Sequence, residues 1–207
     1  CYADLLKKQL AELPQGLQDL EVIEKQTINC KHIVTDLLQF ARSQKSNKEA
    51  AQVNDIIQEV VQMFKHKLKK SNIQLELDLD QELPETRINT GKIKQVLVNL
   101  LMNALHAVNE QGLIQISSGR ETGGERLWVA IWDNGEGVQS SIQGRIFDPF
   151  FSTKVTGEGT GLGLSVSYGI VQEHNGEIRV ESEKGLWSRF TVVLPLIQGL
   201  KERAEHV

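Results

Sequence analysis

The segment Gln95-Val96-Leu97-Val98-Asn99-Leu100-Leu101-Met102-Asn103-Ala104 decides how this chain is read. It falls inside a predicted helix running from about Thr90 to Gln111. Asn99 and Asn103 are four residues apart and so share one helix face. Two amides on an otherwise apolar helix need partners if they are buried. A side-chain carbonyl also suits a hard cation such as Mg2+, which takes oxygen ligands and keeps several waters. A pair of amides satisfied within the fold is the competing explanation.

Three further motifs follow in order. Asp133-Asn134-Gly135-Glu136-Gly137 closes the apolar strand Trp128–Trp132. A carboxylate there can accept a hydrogen bond from the exocyclic amine of a purine, and Gly135 and Gly137 let the backbone approach a flat ring. The competing reading is a tight turn after a strand. Next comes Phe147-Asp148-Pro149-Phe150-Phe151-Ser152-Thr153-Lys154, where three phenylalanines suit a clamp on a mobile segment and Lys154 offers a point charge for phosphate. A core-packing turn with a solvated lysine is the alternative. Last is Gly157-Glu158-Gly159-Thr160-Gly161-Leu162-Gly163-Leu164, whose glycines free backbone N–H groups for an anion, helped by the dipole of the helix that follows. A merely flexible loop is the alternative. Residues 151–161 form a long connection of the kind used for lids, expected to order with nucleotide.

Around these motifs the pattern alternates helices and short strands. A helix is predicted over Val53–Lys70, from Ile56, Ile57, Val60, Val61, Phe64 and Leu68, and a strand over Ile73–Leu79. Strands are predicted near Ile114–Ser118, Leu127–Asp133, Ile178–Glu183 and Arg189–Leu194, with a helix from about Leu162 to His174. This argues for a two-layer α/β sandwich. The front of the chain is different. Residues 2–12 read as a helix end and Leu13-Pro14-Gln15-Gly16 as a break. From Leu17 to about Gln44, Ile23, Cys30 and Leu37 repeat every seven residues, with Thr27, Val34 and Ala41 four later in each heptad. That seam suits a helical hairpin pairing with a second copy, although packing on its own domain stays open. The expected organisation is a partial helical hairpin at 1–46, an α/β domain at 47–198 and a charged tail at 199–207.

With 207 residues, 24% charged and a net charge of -4, no broad nucleic-acid or membrane field is implied. The longest mostly apolar run, Val96–Val108, is too short and polar to span a bilayer, and no signal segment opens the chain. Cys1 and Cys30 form neither a disulfide framework nor a metal spacing, which fits a cytoplasmic setting. A chain beginning at Cys1 looks cut from something longer, so a membrane is expected only through missing upstream segments. The basic run Lys65–Lys70 reads as a solvated helix end.

Together the four motifs resemble those of the sensor histidine kinases of two-component signalling, and the resemblance covers nearly the whole chain. The Asn103 segment is similar to the family's N box, Asp133–Gly137 to its first glycine box, Phe147–Phe151 to its F box and Gly159–Gly163 to its second. Ile33–Arg42 resembles the end of the second dimerisation helix, Tyr2–Leu6 the far end of the first. Asn175–Ile178 and Phe190–Pro195 are also similar to family members. The resemblance implies a Bergerat-type ATP fold, a mixed sheet backed by helices, holding Mg-ATP with Asn103 on the metal and Asp133 at adenine. It carries over Asn99, Asn103 and Lys154 as catalytic positions. His106, Gly135, Gly137, Val138, Phe147, Lys154, Gly159, Thr160, Gly161, Leu162, Gly163 and Thr191 become nucleotide contacts. The implied reaction transfers the γ-phosphoryl group to a histidine and then to a response-regulator aspartate, in a homodimer built on the N-terminal helices.

The sequence departs from the family in places. No acceptor-histidine motif is present: His32 lies in the second helix, His66 in a basic run, His106 beside the N box and His206 in the tail. His174 ends a helix where a cation suits the dipole. The chain is therefore expected to bind ATP without phosphorylating itself, its acceptor lying upstream. Asn89 stands where many relatives have Asp, His106 where some carry Lys, and Trp187 replaces a glycine of the third glycine box. Fold relatives that hydrolyse ATP carry a Glu four residues before the metal-binding Asn. Here that position is Asn99, which cannot take a proton. A serine kinase of the anti-sigma type and a non-catalytic ATP-binding module are the other readings.

Overall fold

The computed structural model describes residues 6, 15–24, 26–27, 48–108, 111–152 and 161–196. The chain divides into two compact units, one of Lys45–Asp148 with Gly163–Val207, the other of Cys1–Gln44 with Pro149–Leu162.

In the larger unit, β1 (Glu49–Ala51) pairs antiparallel with β3 (Thr86–Ile88). Helix α1 (Val53–Lys70) buries Val53, Ile56, Ile57, Val60, Phe64 and Leu68, an amphipathic stripe at helical spacing. It ends where Asn72 takes a positive φ of 51°. The N–H of Ile73 then reaches the Leu68 carbonyl and that of Asn72 the Lys69 carbonyl, a Schellman closure. Around Leu68 the basic run is exposed, as expected.

The main sheet runs β2 (Gln74–Leu79), β4 (Leu113–Arg120), β5 (Arg126–Asp133), β7 (Trp187–Pro195), β6 (Glu177–Glu183). Only β2 and β4 are parallel, and α2 (Thr90–Ala107) supplies the crossover that a parallel pair needs. The sheet is therefore mixed, as expected. Alternation puts Ile114, Ile116, Leu127, Val129, Ile131, Phe190, Val192 and Leu194 on one side, all buried. Helix α2 adds Ile93, Val96, Leu97, Leu100, Leu101, Ala104 and Leu105 to that core. Helix α4 (Gly163–Glu173) adds Val166, Ile170 and Val171.

One helix boundary and three short elements differ from the sequence reading. Helix α2 stops at Ala107, not Gln111, because the Ala107 carbonyl takes the N–H of Glu136 from the turn after β5. Strands β1 and β3 and the four-residue helix α3 (Ser140–Gln143) were not foreseen; each is too short to show a period.

In the smaller unit, residues 15–24 are helical. Gln15 and Gly16, expected in the break, already belong to this helix, and Gln15 Nε2 donates to Asp19 Oδ1 one turn on. Ile23, first of the heptad seam, is 61% exposed in the single chain. Cys30, Val34, Leu37, Ala41 and the proposed linker before Lys48 lie outside the described residues. No helix among the described residues is long and apolar enough to cross a membrane.

Candidate functional site

Asp133 ends β5 and is 2% exposed. Its Oδ1 accepts the N–H of Gly135 at 3.0 Å, closing an Asx turn. Its Oδ2 accepts the Ser188 hydroxyl at 2.9 Å. The two residues face each other because Asp133 and Ser188 are register partners on β5 and β7. Burial pushes the Asp133 carboxyl above its ordinary value. The bonds from Ser188 and Gly135 oppose that rise, and the nearby Glu136 charge adds to it. A carboxylate has lone pairs beyond the two that Gly135 and Ser188 occupy.

The turn that follows is stitched in place from both sides. Asn134 Oδ1 accepts the Leu113 N–H at 2.7 Å, and the Gly185 N–H reaches the Glu136 carbonyl at 2.7 Å. Packing alone explains the glycines. A Cβ on Gly135 would sit 2.5 Å from the carbonyl carbon and oxygen of Ala107. Gly137 has φ +60°, and a Cβ there would overlap the Glu183 carbonyl. Val138 follows, its N–H on Ser182 Oγ at 2.7 Å.

The contact at Ala107 joins this turn to α2, one helical turn beyond Asn103. Asn103 is half-buried and, among the described residues, its amide meets no hydrogen-bond partner. His106 lies exposed in the last turn of the same helix. Asn99 is different. Its Nδ2 donates to the Gly163 carbonyl at 3.0 Å and to Ser167 Oγ at 3.2 Å, tying α2 to the first residue of α4. The side chain expected to be catalytic is thus committed to another element of the fold.

Phe147 packs against Tyr168 of α4 with ring centroids 5.7 Å apart, so it braces that helix. In the smaller unit, Gly161 has φ +67°, and a Cβ on it would press on the Phe150 backbone at 2.5 Å. Lys154, Gly159 and Thr160 lie outside the described residues.

Two expectations are corrected. Thr191 lies three positions beyond Ser188, so alternation puts it on the sheet face away from Asp133. There it lines an open cleft of about 550 Å³ with Ser117, Trp128, Arg179 and Arg189. The hydroxyl beside Asp133 is that of Ser188, which sequence reasoning missed because it depends on strand register. His174 is not a cation serving the helix dipole: it is 2% exposed and one ring nitrogen is an acceptor. Its Nδ1–H donates to the Ile170 carbonyl at 2.7 Å, and its Nε2 accepts the Asn89 N–H at 3.0 Å. Burial lowers its pKa below 6.5; the Ile170 bond opposes this, Lys48 and Lys92 add to it, and Glu173 opposes it. Neutral His174 holds Asn89, whose own Oδ1 caps α2 through the Lys92 N–H at 2.8 Å.

A profile of the histidine kinase-, DNA gyrase B-, and HSP90-like ATPases matches residues 88–198. The signal transduction histidine-protein kinase AtoS of Escherichia coli (strain K12) is 33% identical over 94% of this chain and 31% of its own length. The chain spans about a third of the length of the curated relatives it matches first. Among solved structures, the catalytic domain of histidine kinase ThkA superposes with TM-score 0.65 at 33% identity, covering 72% of this chain and 95% of that one. ThkA in complex with the response regulator TrrA gives TM-score 0.76 at 28% identity, covering 94% and 55%.

Proposed function

Because the chain belongs to the histidine kinase-, DNA gyrase B-, and HSP90-like ATPase family, we propose that it is the catalytic domain of a sensor histidine kinase, phosphorylating a histidine at the expense of ATP. The observation that carries this reading is Asp133: a buried carboxylate, fixed by Gly135 and Ser188, in a glycine turn packed on the end of the Asn103 helix. Its remaining lone pairs suit the exocyclic amine of adenine.

Mg2+ fits Asn103, a half-buried amide with no protein partner among the described residues. When bound, the ion would neutralise phosphate charge and orient the transferred group. Asn103 would hold the ion through its side-chain carbonyl oxygen, the ligand type a hard cation takes. Lys154 brings positive charge to the phosphates, and His106 is the further side chain assigned beside them. Backbone N–H groups of residues 159–163 cradle them. Phe147 braces α4 from behind, and Val138 continues the adenine-side turn. The work of the protein is positioning and charge neutralisation. Asn99 has no basic lone pair to activate water, and this favours transfer over hydrolysis.

We further assign 1–46 to the helical dimerisation domain, 47–198 to the catalytic domain and 199–207 to a tail. The partners are a second copy through the N-terminal helices and a response-regulator receiver domain. The presence of a regulator beside ThkA supports the latter. The test uses γ-labelled ATP, Mg2+ and a version of the chain with a helix bearing the family's acceptor histidine placed ahead of Tyr2. Acid-labile label on the protein is expected. Release of free phosphate without protein label would point to a hydrolase instead.

A further inference from the structure

Asn99 and Ser167 converge on one backbone atom. Asn99 Nδ2 donates to the Gly163 carbonyl at 3.0 Å, and the Ser167 hydroxyl, fully buried, donates to the same oxygen at 2.8 Å. The two side chains also touch each other at 3.2 Å. Gly163 is the first residue of α4. A helix carbonyl normally accepts one backbone N–H from the next turn. Here two side chains, one from α2, are added to it.

A peptide group is planar and trans. Fixing the direction of the Gly163 carbonyl therefore fixes the direction of the Leu164 N–H on the same plane. The first N–H groups of a helix have no intrahelical acceptor and carry the positive end of its dipole. Small errors in their aim weaken an anion contact, because hydrogen bonds fall off steeply with angle.

We propose that Asn99 is a positioning residue: with Ser167 it clamps the Gly163 carbonyl and so aims the opening N–H groups of α4 at the phosphates of ATP. This rests on the reading of the chain as an ATP-binding domain. Asn99 then touches neither metal nor reacting atoms, and its donor N–H is the part that matters.

The variant that isolates the donor is Asn99→Asp. It keeps the shape, loses the N–H and sets a carboxylate against the Gly163 carbonyl. Calorimetry with adenosine, ADP and ATP, each with Mg2+, should show ATP and ADP affinity falling about 10-fold, the scale of one lost hydrogen bond. Adenosine affinity should hold within about 2-fold, since it lacks the groups that the helix start would meet. Ser167→Ala removes the other half of the clamp and should shift the same ratio, without a carboxylate that might disturb folding.

Three results would overturn the proposal. The first is an unchanged ATP-to-adenosine ratio in both folded variants. The second is an equal loss for all three ligands, as a purely structural role would give. The third is tighter Mg-ATP binding by Asn99→Asp, since a carboxylate is the stronger ligand for a hard cation and Asn99 would then belong to the metal. Each is read against wild-type binding of adenosine and ATP, so failure of the clamp stays distinct from failure of the ATP-site reading.

Discussion

Replacing His174 by alanine should destabilise the catalytic domain by roughly 1–5 kcal/mol and remove part of its acid sensitivity. The lower bound comes from the Asn89 N–H, which loses its acceptor in a half-buried position; an orphaned donor costs about 1–3 kcal/mol. The upper bound comes from the void, since truncating a buried ring of similar size costs about 3–5 kcal/mol. The pH dependence follows from the lowered pKa. The folded state holds His174 neutral, while the unfolded state protonates it below about pH 6.5. The stability it contributes is thus complete above pH 6.5 and is lost as the pH falls below that value, by at most about 1.4 kcal/mol per pH unit. The loss stops once the folded form also takes the proton. His174→Ala lacks this titration, so the gap between wild type and variant should narrow between pH 7.5 and pH 5.5. Urea unfolding followed by the fluorescence of Trp128, Trp132 and Trp187 would measure both quantities. A variant within about 0.5 kcal/mol of wild type, or parallel pH profiles, would refute the latch between α4 and the cap of α2.

Asn103→Ala should leave the unfolding midpoint close to wild type and weaken Mg-ATP binding strongly; calorimetry giving unchanged affinity in a folded variant would remove the metal-ligand assignment. Asp133→Asn should cost about 1–3 kcal/mol of ATP affinity, because its new N–H donors face the donor of the base. Since burial raises the Asp133 pKa, ATP affinity should start to fall at a higher pH on acidification than an ordinary carboxylate would allow, and a titration of Kd against pH would show it. Gly135→Ala should lower both stability, by about 1–3 kcal/mol of overpacking, and ATP affinity, because the new methyl presses on Ala107 and Asp133; a variant that binds ATP normally would show that the turn can shift without consequence.

The helices and the longer strands were legible because their signals are local. Val53–Lys70 carries its own amphipathic stripe. The order of the four motifs likewise needs no tertiary knowledge. Ser188 was not legible, because a serine in Trp187-Ser188-Arg189-Phe190 means nothing until register sets it opposite Asp133. The same pairing moves Thr191 to the other face. His174 was misread because its partner, Asn89, is 85 residues away in sequence; only when α4 and α2 are packed does the helix-end histidine become a buried acceptor. The glycines of the Asp133 turn were noticed, but what excludes a side chain at Gly135 is the Ala107 carbonyl rather than a ligand ring.

The proposed function depends on where the nucleotide sits, and a crystal structure of this chain with Mg2+ and a non-hydrolysable ATP analogue measures that directly. The exocyclic amine of adenine should lie within hydrogen-bond distance of the Asp133 carboxylate, the metal should be held by the Asn103 carbonyl, and Ser188 should keep its bond to Asp133. Adenine bound elsewhere, such as in the open cleft between Trp128 and Arg189, or a metal coordinated without Asn103, would contradict it.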